Sequence, residues 1–157
     1  MLKIKLSRQG GNHVKVNVVW KGQRKFAATG ESGHSVLMDA SIEAGGEGKG
    51  VKPTEMVLMG VAGCSGIDIV MILEKMREKV SRFAIEVDGE RADTEPKRFT
   101  TIKVTYKLEG EMRPANVEKA IRLSLDKYCS VSNSMNARFA FAYEVNGIRY
   151  PETGFMA

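Results

Sequence analysis

Apolar residues alternate with polar ones at Leu2, Ile4 and Leu6, and again at Val14, Val16, Val18 and Trp20. Gly10, Gly11 and Asn12 lie between the two runs, so period two predicts a β-hairpin. A turn at Lys21–Gln23 and a third strand from Arg24 follow, and extended structure resumes from Ser35 to Ser41. These make an N-terminal group of strands over residues 1–42. Gly45, Gly46, Gly48 and Gly50 predict a flexible loop bordering whatever site comes next. A central helix is expected over 53–79, then a β-hairpin over 82–109 with Phe83, Ile85 and Val87 opposite Ile102, Val104, Tyr106 and Leu108. Val117, Ala120, Ile121, Ser124, Leu125 and Tyr128 follow the i, i+3, i+4 stripe of an amphipathic helix over 114–129. A last strand is expected over 138–146, with the final ten residues as a surface tail. Strands and helices are segregated, so the class is α+β with mainly antiparallel pairing, in a single domain 1–157.

The central helix is the least ordinary element. Pro53 suits a first helical position and Glu55 adds negative charge to the first turn. Met56 to Ile67 holds no charge, and Asp68 is the first to interrupt the run. A helix apolar all round is buried or spans a membrane. The uncharged part is only 12 residues long and holds Gly60, Gly63 and Gly66, too short and too glycine-rich for a span. The three glycines suggest one face where another backbone comes close, with the sheet on one side and a second subunit on the other. The helix could run straight or kink at those glycines.

Length and composition change this picture little. Hydrophobic content of 43% and charge of 27% are globular values, and 157 residues suit one core. The net charge of +5 is spread along the chain beside acids, as on a solvated surface, which argues against nucleic acid. The alternating start does not resemble a signal peptide. Two cysteines do not make a secreted disulfide scaffold, so a cytoplasmic protein is expected.

Those cysteines carry the candidate chemistry. Cys64 is in the glycine-lined part of the helix, and Cys129 follows 65 residues later at the end of the second helix. Each could be a small buried hydrophobe. As a reactive thiol, Cys64 needs a helix N-terminus or a cation, and Arg24 is a candidate for the latter. At a helix C-terminus the dipole disfavours a thiolate, which suits Cys129 to a resolving role. Glu55 either stabilises the helix start or orients an arginine beside the thiol. Asp68 reads as a polar group at the helix edge. His13 and His34 are isolated and no metal-ligand spacing occurs, so neither a metal nor another cofactor is expected.

The run Pro53-Thr-Glu-Met-Val-Leu-Met-Gly-Val-Ala-Gly-Cys64, continuing Ser-Gly-Ile-Asp-Ile-Val, resembles the peroxidatic-cysteine helix of the OsmC/Ohr family. Lys127-Tyr-Cys-Ser-Val-Ser132 is similar to that family's second-cysteine segment, and Gly89-Glu-Arg-Ala92 with Pro96 and Phe99-Thr100 to its YhfA-related subgroup. The resemblance implies an intertwined α+β homodimer with antiparallel sheets around the central helix and a site at the subunit interface. It implies thiol-dependent reduction of organic hydroperoxides, with Cys64 peroxidatic and Cys129 resolving. It makes Glu55 the carboxylate that holds a cation against the thiolate, with Arg24 or Lys25 as that cation. An external dithiol, a lipoyl protein or a thioredoxin-like one, would reopen the disulfide, and neither nucleic acid nor membrane enters. Met56, Met59, Val61 and Ile67 are expected to give the thiol apolar surroundings. A binding protein for a small apolar ligand and a redox sensor remain as other readings of the same chain.

Overall fold

The computed structural model describes residues 12–155. The chain divides into two compact units, Met1–Met56 and Val57–Ala157, and each is described by itself. The Leu2–Leu6 half of the expected first hairpin lies outside the described residues.

In the first unit β1 (Val16–Trp20), β2 (Phe26–Gly30) and β3 (Ser35–Met38) form an antiparallel sheet in that order. Val16, Val18 and Trp20 are exposed, so their alternation does not mark a face buried within the single chain. The glycine-rich segment after β3 is not loose, as its composition suggests. Asp39 is 1% exposed and gathers it inward. Its Oδ1 accepts the N–H of Ala40 at 2.8 Å, and its Oδ2 accepts those of Glu47 at 3.0 Å and Lys49 at 3.1 Å. Gly46 is required there, because a Cβ would fall 2.1 Å from the Ala40 carbonyl oxygen.

α1 (Pro53–Lys75) starts as its sequence promises. Pro53 takes the first helical position, and Glu55 Oε2 accepts the backbone N–H of Lys52 at 3.1 Å, the return half of a capping box. The helix is continuous through its glycines. It stops at Lys75 rather than Lys79 because Arg77 turns left-handed at φ 61°. The N–H of Arg77 then bonds the Glu74 carbonyl and that of Glu78 the Leu73 carbonyl, a Schellman ending without glycine.

The second unit is a four-stranded sheet in the order β4 (Lys79–Arg91), β5 (Phe99–Glu111), β6 (Arg138–Val145), β7 (Ile148–Phe155). β4 and β5 form the long antiparallel hairpin. β5 and β6 are parallel, which requires a crossover, and residues 114–133 supply it. The end of the chain is not a tail, since β7 pairs antiparallel with β6 and tolerates Pro151 because it is an edge strand. The expected 114–129 helix is also more complex. α2 (Pro114–Leu123) passes into a π-helical turn (Ser124–Tyr128), and a short α3 (Ser130–Asn133) follows.

The α+β class of the expectation is that observed. Val61, Ser65, Ile69 and Leu73 form the inward stripe of α1, packed with Ile102, Val104 and Tyr106 of β5 and Ile121 of α2. The helix is not buried all round in the single chain. Met59 is 53% exposed, Ile67 65% and Met71 50%, on the opposite stripe. Among the described residues no other backbone comes close to the α1 glycines either. Gly60 lies under Val131, Gly66 against Ile85, and Gly63 has nothing beside it. By length and composition α1 could cross a membrane, a test that core helices of non-membrane proteins also pass.

Asp39→Ala removes the buried acceptor that gathers three part-buried backbone N–H groups. We expect a loss of about 3 kcal/mol in the stability of the first unit, read as a lower urea midpoint. Limited proteolysis should then cut within residues 40–50, where the wild-type chain resists.

Candidate active site

The inward stripe of α1 carries a polar residue, and a buried polar group must be paired. Ser65 is fully buried, and its hydroxyl donates to the Val61 carbonyl at 2.8 Å. Tyr106, also fully buried on β5, donates its phenol hydrogen to Ser65 Oγ at 2.9 Å. Burial pushes the Tyr106 phenol well above the usual range, with the Cys129 and Asp68 charges adding to it, so it remains neutral. Helix rotation is thereby set, and Cys64 and Asp68 fall on the neighbouring stripe, one turn apart.

The partner for that stripe comes from the crossover. Ser124, fully buried, donates to Asp68 Oδ2 at 3.1 Å and reaches the Ser65 carbonyl at 3.4 Å. The π turn then bonds the Cys129 N–H to the Ser124 carbonyl at 2.7 Å, one residue further on than an α-helix does. Asn133 Nδ2 donates to the carbonyls of Leu125 and Cys129, both at 2.9 Å, which satisfies oxygens freed where the helix breaks. Cys129 is therefore not simply at a helix C-terminus. Its extended backbone caps α3, and its Sγ accepts the N–H of Ser132 at 3.4 Å.

These devices bring Cys64 Sγ, Cys129 Sγ and a carboxylate oxygen of Asp68 within 4.8 Å of one another. Both cysteines are free thiols, Cys64 partly exposed and Cys129 buried. Burial pushes the Cys129 thiol up, and Cys64 beside it acts in the same direction, outweighing the hydrogen bonds from Ser132. Sequence spacing links only Cys64 and Asp68, one turn apart on α1, and tertiary packing brings Cys129 to them. Three donors fall one short of a closed tetrahedral metal site. Two sulfurs at this spacing can join and part with little movement of the backbone.

The other expected site residues have local partners. Glu55 is in the first turn of α1, where it accepts the Lys52 N–H and pairs with Lys52 Nζ at 3.3 Å. That backbone hydrogen bond holds its carboxyl below the usual range. In the first unit Arg24 Nη1 donates to the Gly45 carbonyl at 2.7 Å, and Lys25 forms an ion pair with Glu47. The expected apolar lining does not gather at one place. Val61 is in the core, and Met59 and Ile67 face outward. Asp68 was read as an edge group, yet it belongs to the cluster. The i, i+4 spacing from Cys64 was its one signal, and its partner Ser124 lies 56 residues away.

Residues 46–144 match the family of OsmC-like proteins. The chain is 36% identical over 135 residues to protein YhfA of Escherichia coli, spanning 84% of this chain and 98% of that one. A hypothetical protein of Aquifex aeolicus has a similar structure (TM-score 0.72, 27% identity, 87% of this chain and 99% of that one). An organic hydroperoxide resistance protein of Legionella pneumophila shares the fold at a TM-score of 0.65 and 16% identity, over 87% of this chain and 98% of its own.

The asymmetry of the thiols gives a direct check. At pH 7 a maleimide should modify Cys64 of the folded, reduced protein at least ~100-fold faster than Cys129, with the difference lost in denaturant. The folded chain also keeps the Cys129 proton where the unfolded chain, with a thiol pKa of about 8.5, releases it. The stabilisation this provides is complete below that pH and is lost as pH rises through the folded value. Urea midpoints of wild type and Cys129→Ser should therefore diverge less at high pH than at neutral pH.

Proposed function

From its membership of the OsmC-like family, we propose that this chain is a thiol-dependent peroxidase that reduces organic hydroperoxides to alcohols. The observation that carries the reading is the meeting of Cys64 and Cys129, 65 residues apart in sequence, with Cys64 the accessible member. The hydroperoxide resistance protein of Legionella pneumophila, of like fold, favours the same chemistry. The Cys64 thiolate attacks the distal peroxide oxygen, the O–O bond breaks, and the alcohol leaves after taking a proton. Cys64 becomes a sulfenic acid. Cys129 attacks that sulfur, water leaves, and an external dithiol, a lipoyl or thioredoxin-like protein, reopens the disulfide by exchange. No metal or organic cofactor enters this scheme. The cation it needs is assigned to Arg24, or to Lys25 in its place, with Glu55 as the orienting carboxylate.

A homodimer in a reducing compartment, the cytoplasm, completes the proposal. The outward stripe of Met59, Ile67 and Met71 is the surface that a second copy would cover. One observation favours the alternative of a binding protein for a small apolar ligand. A groove of about 610 Å³ runs beside α1, lined by Ala62, Gly63, Ile67, Val70, Met71 and Ile85 among others.

One equivalent of tert-butyl hydroperoxide added to the reduced protein should consume both thiols and leave a disulfide within one chain. Turnover with a dithiol should then exceed that with hydrogen peroxide and vanish in Cys64→Ser. Cys129→Ser should stop at a sulfenic acid trapped by dimedone. Two unreactive thiols would falsify the enzyme and leave the ligand-binding reading. Arg24→Ala and Lys25→Ala, compared separately, identify the cation, whose loss slows the peroxide step by about 100-fold.

A further inference from the structure

We propose that Asp68 is the proton shuttle for the step in which Cys129 closes on Cys64. For its natural oxidant the inference rests on the peroxidase reading, while its test does not.

Four observations lead there. A carboxylate oxygen of Asp68 lies within 4.8 Å of both sulfurs, so one rotamer change or one bridging water puts it in contact with either. Ser124 donates to Oδ2, which fixes the carboxylate, and the hydrogen bonds seen among the described residues leave Oδ1 for a proton. Cys129 is fully buried with its thiol pushed up, so near neutral pH it holds its hydrogen and attacks poorly until a base removes it. Among the described residues the remaining titratable groups at the cluster are Cys64, which is the electrophile in this step, and Tyr106. The Tyr106 hydrogen is committed to Ser65, and its raised pKa keeps it from serving as a base.

The step balances. The S–S bond forms as the S–O bond of the Cys64 sulfenic acid breaks. Cys129 supplies the two electrons, so its sulfur is oxidised and that of Cys64 reduced. The Cys129 proton passes to Asp68 and on to the departing hydroxide, which leaves as water. Asp68 gains no net proton over the step. A carboxylate beside a thiol pair works against thiolates by charge repulsion. Reach to both sulfurs turns that liability into a proton path.

Asp68→Asn keeps the size and can still accept from Ser124, but cannot carry the proton. Cys64 of the reduced full-length protein is converted to its mixed disulfide with 5-thio-2-nitrobenzoate. Stopped-flow absorbance then follows release of the aromatic thiol as Cys129 displaces it. At pH 7 the variant should close about 100-fold more slowly than wild type, with Asp68→Glu restoring much of the rate. The wild-type rate should depend on pH less steeply than the variant's, which climbs with the thiolate fraction of Cys129. Closure within about threefold of wild type, with the same pH profile, overturns the proposal. A second arm adds one equivalent of tert-butyl hydroperoxide. The variant, relieved of the carboxylate's repulsion, should form the Cys64 sulfenic acid no more slowly than wild type and accumulate it as a dimedone adduct. If neither protein forms it, the peroxidase reading fails and the mixed-disulfide arm still decides the role of Asp68. Should Asp68→Asn not fold, Ser124→Ala releases the carboxylate, and closure should slow by about tenfold; an unchanged rate there also sinks the idea.

Discussion

The hydrogen bond from Tyr106 to Ser65 is the contact on which the larger unit depends. Both hydroxyls are buried, and an unpaired one costs about 1–3 kcal/mol. A rotation of α1 that removed Ser65 from Tyr106 would leave two such groups and move Val61, Ile69 and Leu73 from the core. The hydrogen bond and the apolar stripe therefore select one rotation. Cys64 and Asp68 follow from that choice because they occupy the next stripe of the same helix. A serine in an otherwise apolar run thus does more than interrupt it. It gives the packing of α1 a single solution where leucine and valine alone would allow several close to it.

The site also contains an opposition that its surroundings only partly relieve. Two thiols and a carboxylate meet within 4.8 Å, and burial together with Cys64 beside it disfavours a thiolate at Cys129. The Ser132 N–H offsets part of that cost for Cys129, and the Ser124 hydroxyl holds the Asp68 carboxylate in place. What is left favours a division of labour in which one thiol meets the oxidant and the other keeps its proton. The difference in exposure between Cys64 and Cys129 follows the same division.

How far the sequence could be read depended on the range of the interactions involved. The amphipathic stripe of α2, the β4–β5 hairpin and the Pro53 start of α1 are local patterns and were legible. The stop of α1 was not, because Arg77 adopts the left-handed conformation usually marked by glycine. β7 was missed because Pro151, Glu152 and Gly154 break its alternation, as an edge strand allows. The parallel pairing of β6 with β5 depends on where α2 carries the chain, which period two cannot show. The glycines after Asp39 suggested mobility, whereas three backbone N–H groups converge on its carboxylate. Cys64 and Cys129, and their pairing, were read through resemblance to a family, because hydrophobic periodicity says nothing of which thiols meet. Asp68 escaped because a charge one turn from a cysteine is ordinary, and only Ser124 from the crossover distinguishes it.

The π turn explains why the second thiol comes from a junction and not from a regular helix. Cys64 is held on a long helix by a buried stripe, so its sulfur has little freedom beyond its rotamer. A disulfide brings two sulfurs to about 2.05 Å, closer than two free thiols can approach. The adjustment must come from the other partner. Cys129 has extended backbone between a π turn and the single turn of α3, with φ −68° and ψ 101°. A small change there swings the sulfur without unwinding a helix. Asn133 bridges the Leu125 and Cys129 carbonyls and so limits the swing to one that preserves both bonds. The extra residue of the π turn provides that hinge, where an unbroken α2 would have carried Cys129 about 100° further around the helix axis as one more rigid position.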